Sequence, residues 1–320
     1  MATGKSQKLI FLVGPTGVGK TELSLRIAQR FSCEILSLDS MQLYIGMDVG
    51  TAKATPEQRA KVPHHLIDLQ PPGIRFTVEQ YQRAAYEVIE KVAARGHIPL
   101  FVGGTGLYLD AILHDFQFAN VNADFSLRER LDAAYRLDGG RTLYRRLQET
   151  DPMSAEKLTA SDRKKIIRSL EVYERTGVPL SRQKIETMRS PKWDALVFVL
   201  TDERQALYER INRRVDEMLS DGLVEENMRL LQSGISTRAQ AMAAIGYKET
   251  VWYLRGRISF SEMRRLIQQN SRNYAKRQLT WYRKDPEAIW LDRSRLTPAQ
   301  IEEHIIEAMT RFLTERNPTT

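Results

Sequence analysis

The sequence has very little cysteine and no long hydrophobic run. Its one cysteine in 320 residues, Cys33, cannot form an internal disulfide, and a zinc site built from clustered cysteines is excluded. No apolar run approaches the ~18 residues of a membrane-spanning helix, and the first residues, MATGKSQK, lack the apolar segment of a signal peptide. We therefore expect a cytoplasmic protein with no membrane contact, in which Cys33 is a buried core residue.

Positive charge, by contrast, is in excess. The formal net charge is +8, while 42% hydrophobic and 28% charged residues are typical of a globular protein with a sizeable core. A basic surface can simply be solvated, or it can face a polyanion such as a nucleic acid, and the placement of the charge decides between the two. The length fits one large α/β domain with an insertion, or two domains.

A phosphate-binding loop follows the first predicted strand. The apolar run LIFLV at 9–13 leads into GPTGVGKT, which matches the pattern GxxxxGK[S/T], and the amphipathic segment ELSLRIAQRF comes next. In such a loop, backbone amides surround phosphate oxygens, the lysine adds a charge and the threonine hydroxyl can bind Mg²⁺. We predict a di- or triphosphate site, with Thr21 as the magnesium ligand, formed by Gly14, Pro15, Thr16, Gly17, Val18, Gly19, Lys20 and Thr21.

Polar residues stand at the end of the second predicted strand, which spans 35–38. This strand delivers Asp39, Ser40 and Gln42 to the sheet edge where ligands bind in parallel α/β folds. Asp39 would then face the phosphate loop, although an aspartate here can also merely cap a turn. A third strand, IPLFV, leads into a second glycine-rich turn, GGTG, which would bring Thr105 beside the first loop.

Two histidines between these strands, His64 and His65, follow Pro63 after a glycine-punctuated loop. The sequence offers no carboxylate at ligand spacing, so we predict a structural role within a short strand and not a metal site.

Capping patterns mark the starts of three helices. Thr77 with Gln80 starts a helix that runs to Arg95, and Ser259 with Glu262 starts a long polar helix that runs to about 284. The third helix, TPAQIEEHIIEAMTRFL, has a threonine cap followed by proline at its first position.

The chain changes character after 115. Between 116 and 190 strand-like runs disappear and arginine-rich helical patterns replace them, ending in the helix RKKIIRSLEVYERTG, which Ser161 or Asp162 caps. The run ALVFVL at 195–200 then returns to the sheet. We predict an α/β fold: a P-loop NTPase-like parallel sheet flanked by helices, formed by 1–115 and 191–320, with a helical insertion domain at 116–190.

Two basic helices follow the insertion. LYERINRRVDEML carries Arg210, Arg213 and Arg214, which can clamp a leaving diphosphate or can be solvated. Between Arg255 and Lys284, nine lysines or arginines stand against one acid, interleaved with amides and aromatic rings. Cations can hold phosphates, amides can bond base edges and rings can stack on unpaired bases, so this mixture favours looped or single-stranded RNA over a merely solvated face.

Two classes of function are open as alternatives on these residues. The third strand lacks the terminal acidic pair of an ATPase, and no NKxD-like guanine motif occurs, so motor ATPases and switch GTPases are disfavoured. An ATP-dependent small-molecule or nucleotide kinase shares the P-loop and an arginine-rich insertion. A non-catalytic RNA-binding protein with a degenerate nucleotide site is the other alternative, against which the intact Lys20, Thr21 and Asp39 argue.

Several motifs taken together resemble the tRNA dimethylallyltransferase family, also called tRNA isopentenyltransferases. The motifs occur in order over nearly the whole chain: GPTGVGKT, DSMQLYIGMDVGTAK, GGTGLY, RSLEVYERTG, RINRRVDEML, AIGYKE and RQLTWYRK. Family members usually have proline where this chain has Ala54, and the zinc module of eukaryotic relatives is missing, which indicates the bacterial form. The resemblance implies transfer of a dimethylallyl group from dimethylallyl diphosphate to N6 of the adenine 3′ of the tRNA anticodon, with Mg²⁺ as cofactor.

The resemblance also implies roles for individual residues. Asp39 would accept the N6 proton, and Arg214, with Lys20 and Thr21, would stabilise the departing diphosphate. The positions that would contact tRNA are Asp39, Ser40, Met41, Gln42, Thr105, Arg128, Arg163, Lys164, Lys165, Ile166, Ile167, Gly246, Tyr247, Lys248, Arg277, Gln278, Trp281, Arg283 and Lys284. We expect a monomer.

Overall fold

The structure is a computed structural model that describes residues 6–116, 124–182 and 192–315. Contacts within the chain define two compact units, one of Met1–Asp115 with Arg189–Thr320 and one of Phe116–Met188. The predicted boundary between 190 and 191 lies outside the described residues. In the described part of the chain, no helix has both the length and the apolar character needed to cross a bilayer.

The first unit contains a parallel six-stranded sheet, which confirms the predicted fold class. Its strands in chain order are β1 (Gln7–Val13), β2 (Cys33–Leu38), β3 (His64–His65), β4 (Ile98–Gly103), β5 (Trp193–Thr201) and β6 (Ile289–Asp292). Their spatial order is β3-β2-β4-β1-β5-β6, and every pairing is parallel.

Helices cover both faces of this sheet. In the first unit they are α1 (Lys20–Arg30), α2 (Pro56–Lys61), α3 (Val78–Ala94), α4 (Gly106–Leu113), α9 (Arg204–Ser220), α10 (Leu223–Gln232), α11 (Tyr247–Leu254), α12 (Phe260–Tyr282) and α13 (Pro298–Thr314). The second unit contributes α5 (Phe125–Asp138), α6 (Arg141–Thr150), α7 (Pro152–Ala155) and α8 (Arg163–Thr176). The described part of the second unit thus has the helical character predicted for it.

The buried strands explain the continuous apolar runs in the sequence. Along β1, Leu9 and Phe11 pack into a core on one face of the sheet, while Ile10 and Leu12 pack into a second core on the other. A strand buried on both faces needs apolar side chains at every position, so it reads as an unbroken run. Cys33 at the start of β2 is buried, as predicted, and burial raises the pKa of its thiol to about 12.

The sheet register brings several strand ends to one edge. Val13 of β1 and Leu38 of β2 both pair with Gly103 of β4, and Val199 of β5 pairs with Val13. The segments after these strands therefore begin side by side, at the edge where parallel α/β folds bind ligands.

Two elements differ from the sequence prediction. The segment before His64, which we predicted to be a loop, contains α2, whose Thr55 and Gln58 form a full capping box with Pro56 at the first position. The strand β6 was not predicted, because it is only four residues long and two of them, Ile289 and Trp290, are 36% exposed.

The predicted helix caps are largely found. Thr77 and Thr297 form capping boxes, with Gln80 and Gln300 respectively. Ser259 caps α12, but Glu262 bonds to Arg265 in place of completing the box. Asp162 occupies the N-cap of α8 without a capping bond, since its carboxylate accepts from Thr159 instead.

Candidate active site

The phosphate-binding loop joins β1 to α1. Helix α1 begins at Lys20 without a side-chain cap because its N-cap residue is Gly19, so the amides of its first turn can bind an anion. Gly19 has a φ of 92°, and a Cβ added to it would lie 2.3 Å from the guanidinium of Arg293. Glycine is favoured at this position because the backbone is left-handed and because a side chain would collide with Arg293.

The side chain of Lys20 folds over this loop. Its Nζ donates to the carbonyl oxygens of Gly14 and Pro15, at 2.9 Å each. Burial and, to a smaller extent, the nearby Arg214 lower the pKa of Lys20 to about 7, while Asp39 acts in the opposite direction. A negatively charged ligand would restore the charge on this lysine.

A cavity of about 390 Å³ opens above the loop. Its walls include the loop itself, the residues after β2, the stretch from Gly50 to Ala54, the end of β4, residues 243–246 before α11, and the side chains of α9 and α12 that face it. The predicted site residues that line it are Thr16, Gly17, Gly19, Lys20, Thr21, Asp39, Ser40, Met41, Gln42, Arg214, Gly246, Arg277 and Gln278.

Asp39 fits both interpretations that the sequence left open. Its Oδ1 accepts a hydrogen bond from the amide of Met41 at 2.8 Å, so the side chain does cap a turn. The residue also lines the cavity together with Lys20. Because the turn requires only one carboxylate oxygen, it orients the side chain and leaves Oδ2 available to accept a proton.

The second glycine-rich turn lies beside the first, with a bridge between them. The amide of Thr16 donates to Oε1 of Gln278 at 3.0 Å, and Nε2 of Gln278 donates to the carbonyl of Gly104 at 2.8 Å. A Cβ on Gly104 would lie 2.1 Å from Nε2, so glycine is needed for the bridge. Thr105 in the same turn accepts from the amide of Ser40 at 3.0 Å.

Arg210, Arg213 and Arg214 of α9 have three different environments. Arg214 lines the cavity, and its Nε is buried and has no hydrogen-bond partner in the part of the chain that the structure describes. Burial lowers the pKa of Arg214, and Asp39 opposes this. Arg213 is exposed, whereas Nε of Arg210 donates to the carbonyl of Gly17 at 3.1 Å. Arg214 is therefore the one that can reach a ligand on the loop.

Glu226 holds the wall of the cavity, a role that the sequence analysis missed. Its Oε2 accepts from the amides of Asp48 and Val49 at 2.8 Å each, and its Oε1 accepts from the Gly50 amide at 3.2 Å. Tyr247 adds a fourth bond, from its hydroxyl to Oε1. A glutamate on α10 gives no sequence signal for this, because its partners lie 176–178 residues away.

Lys53 is fixed in the same wall. Its side chain is 1% exposed, and its Nζ lies 2.6 Å from Oδ1 of Asp48 and 2.7 Å from Oδ1 of Asp68. It also donates to the carbonyl of Tyr44 at 2.9 Å. The lysine and Glu226 together set the path of the chain that carries Gly50 to Ala54 past the cavity.

Four of the residues for which the resemblance implied tRNA contact have buried side chains. Ile166 and Ile167 lie in the core of the second unit, at 0% and 7% exposure. Tyr247 is buried against Glu226, and Gln278 uses its amide between the two glycine-rich turns. Ile166 and Ile167 are adjacent in sequence, and both can pack inward because α8 contacts two other helices, α5 and α6.

The remaining predicted tRNA residues differ in how free their side chains are. Lys164, Lys165, Arg277, Arg283 and Lys284 are exposed. Lys165 pairs with Asp162, and four further residues are paired within their own unit: Arg128 with Glu171, Arg163 with Asp132, Lys248 with Glu249, and Trp281 with Asp110 through its Nε1.

The two adjacent histidines form β3, and His64 also lines the cavity. Nε2 of His65 lies 2.5 Å from Oε2 of the buried Glu34, whose carboxylate also binds Arg95 and His97. Within the described residues, no cluster of histidine, cysteine and acidic side chains is arranged to hold a metal ion.

Oxygen donors suited to Mg²⁺ nevertheless line the cavity. The hydroxyl of Thr21 and the carboxylate of Asp39 are both on its wall. Protein-bound Mg²⁺ is typically held by one or two such oxygens together with substrate phosphates and water, so this donor set fits the ion.

Comparison with known proteins agrees with this geometry. A family model described as IPP transferase matches residues 42–285. A tRNA dimethylallyltransferase from Carboxydothermus hydrogenoformans is 44% identical over 302 residues, which cover 94% of this chain and 97% of the relative.

Solved structures of the same kind match as well. The full-length tRNA isopentenylpyrophosphate transferase from Bacillus halodurans superposes with a TM-score of 0.72 at 39% identity, covering 96% of this chain and 97% of that one. A eukaryotic dimethylallyltransferase acting on tRNA gives a TM-score of 0.80 at 26% identity, over 98% of this chain and 81% of its own. The chain therefore belongs to the IPP transferase family.

Proposed function

We propose that the chain transfers a dimethylallyl group from dimethylallyl diphosphate to N6 of the adenine 3′ of the anticodon in tRNA and releases diphosphate. The observation that carries the proposal is that one cavity contains an anion-binding loop with Lys20, the carboxylate of Asp39 and the guanidinium of Arg214. The names of the relatives support it: they are tRNA dimethylallyltransferases and tRNA isopentenyltransferases.

The loop and its cations would hold the diphosphate and stabilise it as it departs. In the reaction the allylic C–O bond breaks, and its electron pair leaves with the diphosphate, where negative charge grows. Amides of the first turn of α1, Nζ of Lys20 and the buried guanidinium of Arg214 are the donors at that point. A Mg²⁺ ion held by Thr21 would contribute further positive charge there.

Asp39 would act on the adenine. As the new bond forms between N6 and the allylic carbon, N6 loses a proton, and the carboxylate of Asp39 is placed to accept it. The bond from Met41 to Oδ1 fixes the side chain, so the proton would go to Oδ2. Since the cavity is concave, the adenine must leave its stack in the anticodon loop to enter.

The exposed cations of the basic helix α12 and its end would hold the tRNA backbone. Arg277, Arg283 and Lys284 are exposed, and Arg277 also lines the cavity. Cations in this position bind phosphates without reading sequence. In the second unit, Lys164 and Lys165 are candidates for further phosphate contacts. We expect this reaction to take place in the cytoplasm, on a monomer.

The kinase alternative is tested by the choice of donor. Purified protein is incubated with magnesium, an unmodified tRNA with adenine 3′ of its anticodon, and either labelled dimethylallyl diphosphate or γ-labelled ATP. The proposal predicts label in tRNA from the first donor and no phosphate transfer from the second. Phosphate transfer from ATP to a small acceptor, with no prenyl transfer, would overturn it.

A further inference from the structure

Two arginines contact the phosphate-binding loop from the side away from the cavity. Nε of Arg210 donates to the carbonyl of Gly17 at 3.1 Å, and Nη1 of Arg293 donates to the carbonyl of Val18 at 2.8 Å. The arginines come from different elements, one from α9 and one from the residue after β6. Neither arginine is among the described residues that line the cavity.

One buried carboxylate holds both arginines. The side chain of Asp202, which follows β5, is only 6% exposed and pairs with Nη2 of Arg210. Its Oδ2 also lies 3.6 Å from Nε of Arg293. The amide of Arg293 donates to the carbonyl of Thr201 at 3.0 Å, so the backbone at this arginine is tied to the end of β5. We call Asp202, Arg210 and Arg293 the loop brace.

The brace holds the carbonyl groups of Gly17 and Val18, and the contact to Val18 sets which way one N–H of the loop points. In a trans peptide, the C=O of one residue and the N–H of the next point in opposite directions. Because Arg293 holds the carbonyl of Val18, the N–H of Gly19 is turned away from Arg293. Gly19 itself lines the cavity, and a side chain there would displace the guanidinium.

The brace also adds charge. The hydrogen bond from Arg293 polarises the peptide that it contacts, which makes the N–H of Gly19 a stronger donor. The N–H of Val18, in the peptide that Arg210 contacts, donates within the loop to the carbonyl of Pro15 at 3.4 Å. Two positive groups share one carboxylate, so the brace keeps a net positive charge behind a loop that must bind a highly charged anion.

We propose that Arg293, with Arg210 and Asp202, is a positioning residue that prepares the loop to bind the diphosphate of the prenyl donor. This rests on the proposed function, since it assigns the diphosphate to that loop. Arg293 lies outside residues 42–285, the part of the chain that the family model matches.

Direct binding of inorganic pyrophosphate, measured by calorimetry, tests the brace without requiring catalysis. We expect Arg293→Gln to weaken pyrophosphate binding about tenfold, because a charge-assisted bond to the loop is lost. The pyrophosphate affinity of Arg293→Lys should lie between those of wild type and Arg293→Gln. Lysine keeps the charge but lacks the planar fork that reaches both Val18 and Asp202.

Arg295→Gln is the matched control. Arg295 lies two residues further along, its side chain is 84% exposed and it pairs with Asp292, not with the loop. We expect wild-type pyrophosphate affinity in this variant. Steady-state kinetics should show the KM for dimethylallyl diphosphate raised about tenfold in Arg293→Gln, with the KM for tRNA within twofold of wild type.

The outcomes separate the brace from the proposed function. Wild-type protein that binds no pyrophosphate contradicts both. If wild-type protein binds pyrophosphate, and Arg293→Gln binds it as tightly as Arg295→Gln does, the proposed role of the brace is excluded while the proposed function is not. If Arg293→Gln lowers the melting temperature, Arg293→Lys decides: a KM for dimethylallyl diphosphate equal to that of wild type would mean that Arg293 is merely structural.

Discussion

The hydroxyl of Tyr247 donates a hydrogen bond of 2.5 Å to Oε1 of Glu226, and both side chains are buried. The same carboxylate accepts three successive backbone amides, from Asp48 to Gly50. The tyrosine ring also occupies the space where a side chain on Gly50 would be, since a Cβ there would lie 2.5 Å from it. Tyr247 thus supports the cavity wall from behind.

Tyr247→Phe should therefore reduce stability more than tRNA affinity. Loss of one buried bond to a charged group costs about 1.5–3 kcal/mol of unfolding free energy, measured by urea denaturation. The KM for tRNA should stay within twofold of wild type. Tyr253→Phe on the same helix is the control and should change stability by less than about 0.5 kcal/mol. A large rise in the KM for tRNA, with unchanged stability, would mean that Tyr247 contacts tRNA after all.

Asp39→Asn tests the proton acceptor with little change of structure. Asparagine keeps an oxygen that can accept from Met41, so the turn should survive. Prenyl transfer should fall about 10²–10⁴-fold, because the amide cannot take the N6 proton. Transfer is measured in single turnover, with tRNA binding measured separately. Wild-type transfer rates in this variant would exclude Asp39 as the base.

Arg214→Gln and Arg213→Gln form a matched pair on adjacent positions of α9. Arg214 lines the cavity, while Arg213 is exposed. Loss of the donor to a departing diphosphate should reduce kcat about 10²–10³-fold in the first variant. The second should remain within about threefold of wild type. Equal effects of the two would show that Arg214 acts only through the general charge of the surface.

Lys20 should titrate near pH 7 in the free protein, because burial and Arg214 lower its pKa. Below pH 7 it is mostly charged, and above pH 7 it is mostly neutral. Pyrophosphate favours the charged form, so binding should raise the pKa, and above pH 7 the lysine should take up a proton on binding. Carbon NMR of labelled lysine, with the Lys20 signal assigned by Lys20→Arg, measures both titrations. A titration at the ordinary lysine pKa in the free protein would contradict this.

Glu34 should stabilise the fold in a pH-dependent manner. Its bonds to Arg95, with those to His65 and His97, lower its pKa to about 2, against an ordinary value of 4.5. This stabilisation is complete above pH 4.5 and is lost as the pH falls toward 2. Glu34→Gln should therefore cost about 3 kcal/mol of unfolding free energy at pH 7 and much less near pH 2.5. Glu90→Gln, at an exposed position of α3, is the control. Equal losses of unfolding free energy in Glu34→Gln and Glu90→Gln would contradict the stabilising role of Glu34.

Much of the fold could be predicted because its signals are local. The strand β1, the loop and α1 follow one another in sequence, and a buried strand is a continuous apolar run. Helix α2 could also have been found, since TPEQ carries a capping box and a proline at the first position. The short, half-exposed β6 could not be predicted, because it is an edge strand of the described sheet and pairs with β5 alone.

The parts of the site that were missed depend on long-range pairing. Arg293 reaches the loop because β6 pairs with β5, a relationship between residues about 90 positions apart. Glu226 caps three amides that precede it by more than 170 residues. The motifs drew attention to these residues, but only the packed chain shows which of them line the cavity, like Gln278, and which support its wall from behind, like Tyr247.

Identification of the modified nucleoside tests the central claim most directly. After a single turnover with labelled dimethylallyl diphosphate, the tRNA is digested and each nucleoside is analysed by chromatography and mass spectrometry. The account predicts the label on N6 of the adenosine 3′ of the anticodon, and none in a tRNA with guanosine at that position. Label on another nucleoside, or equal label in the guanosine tRNA, would contradict it.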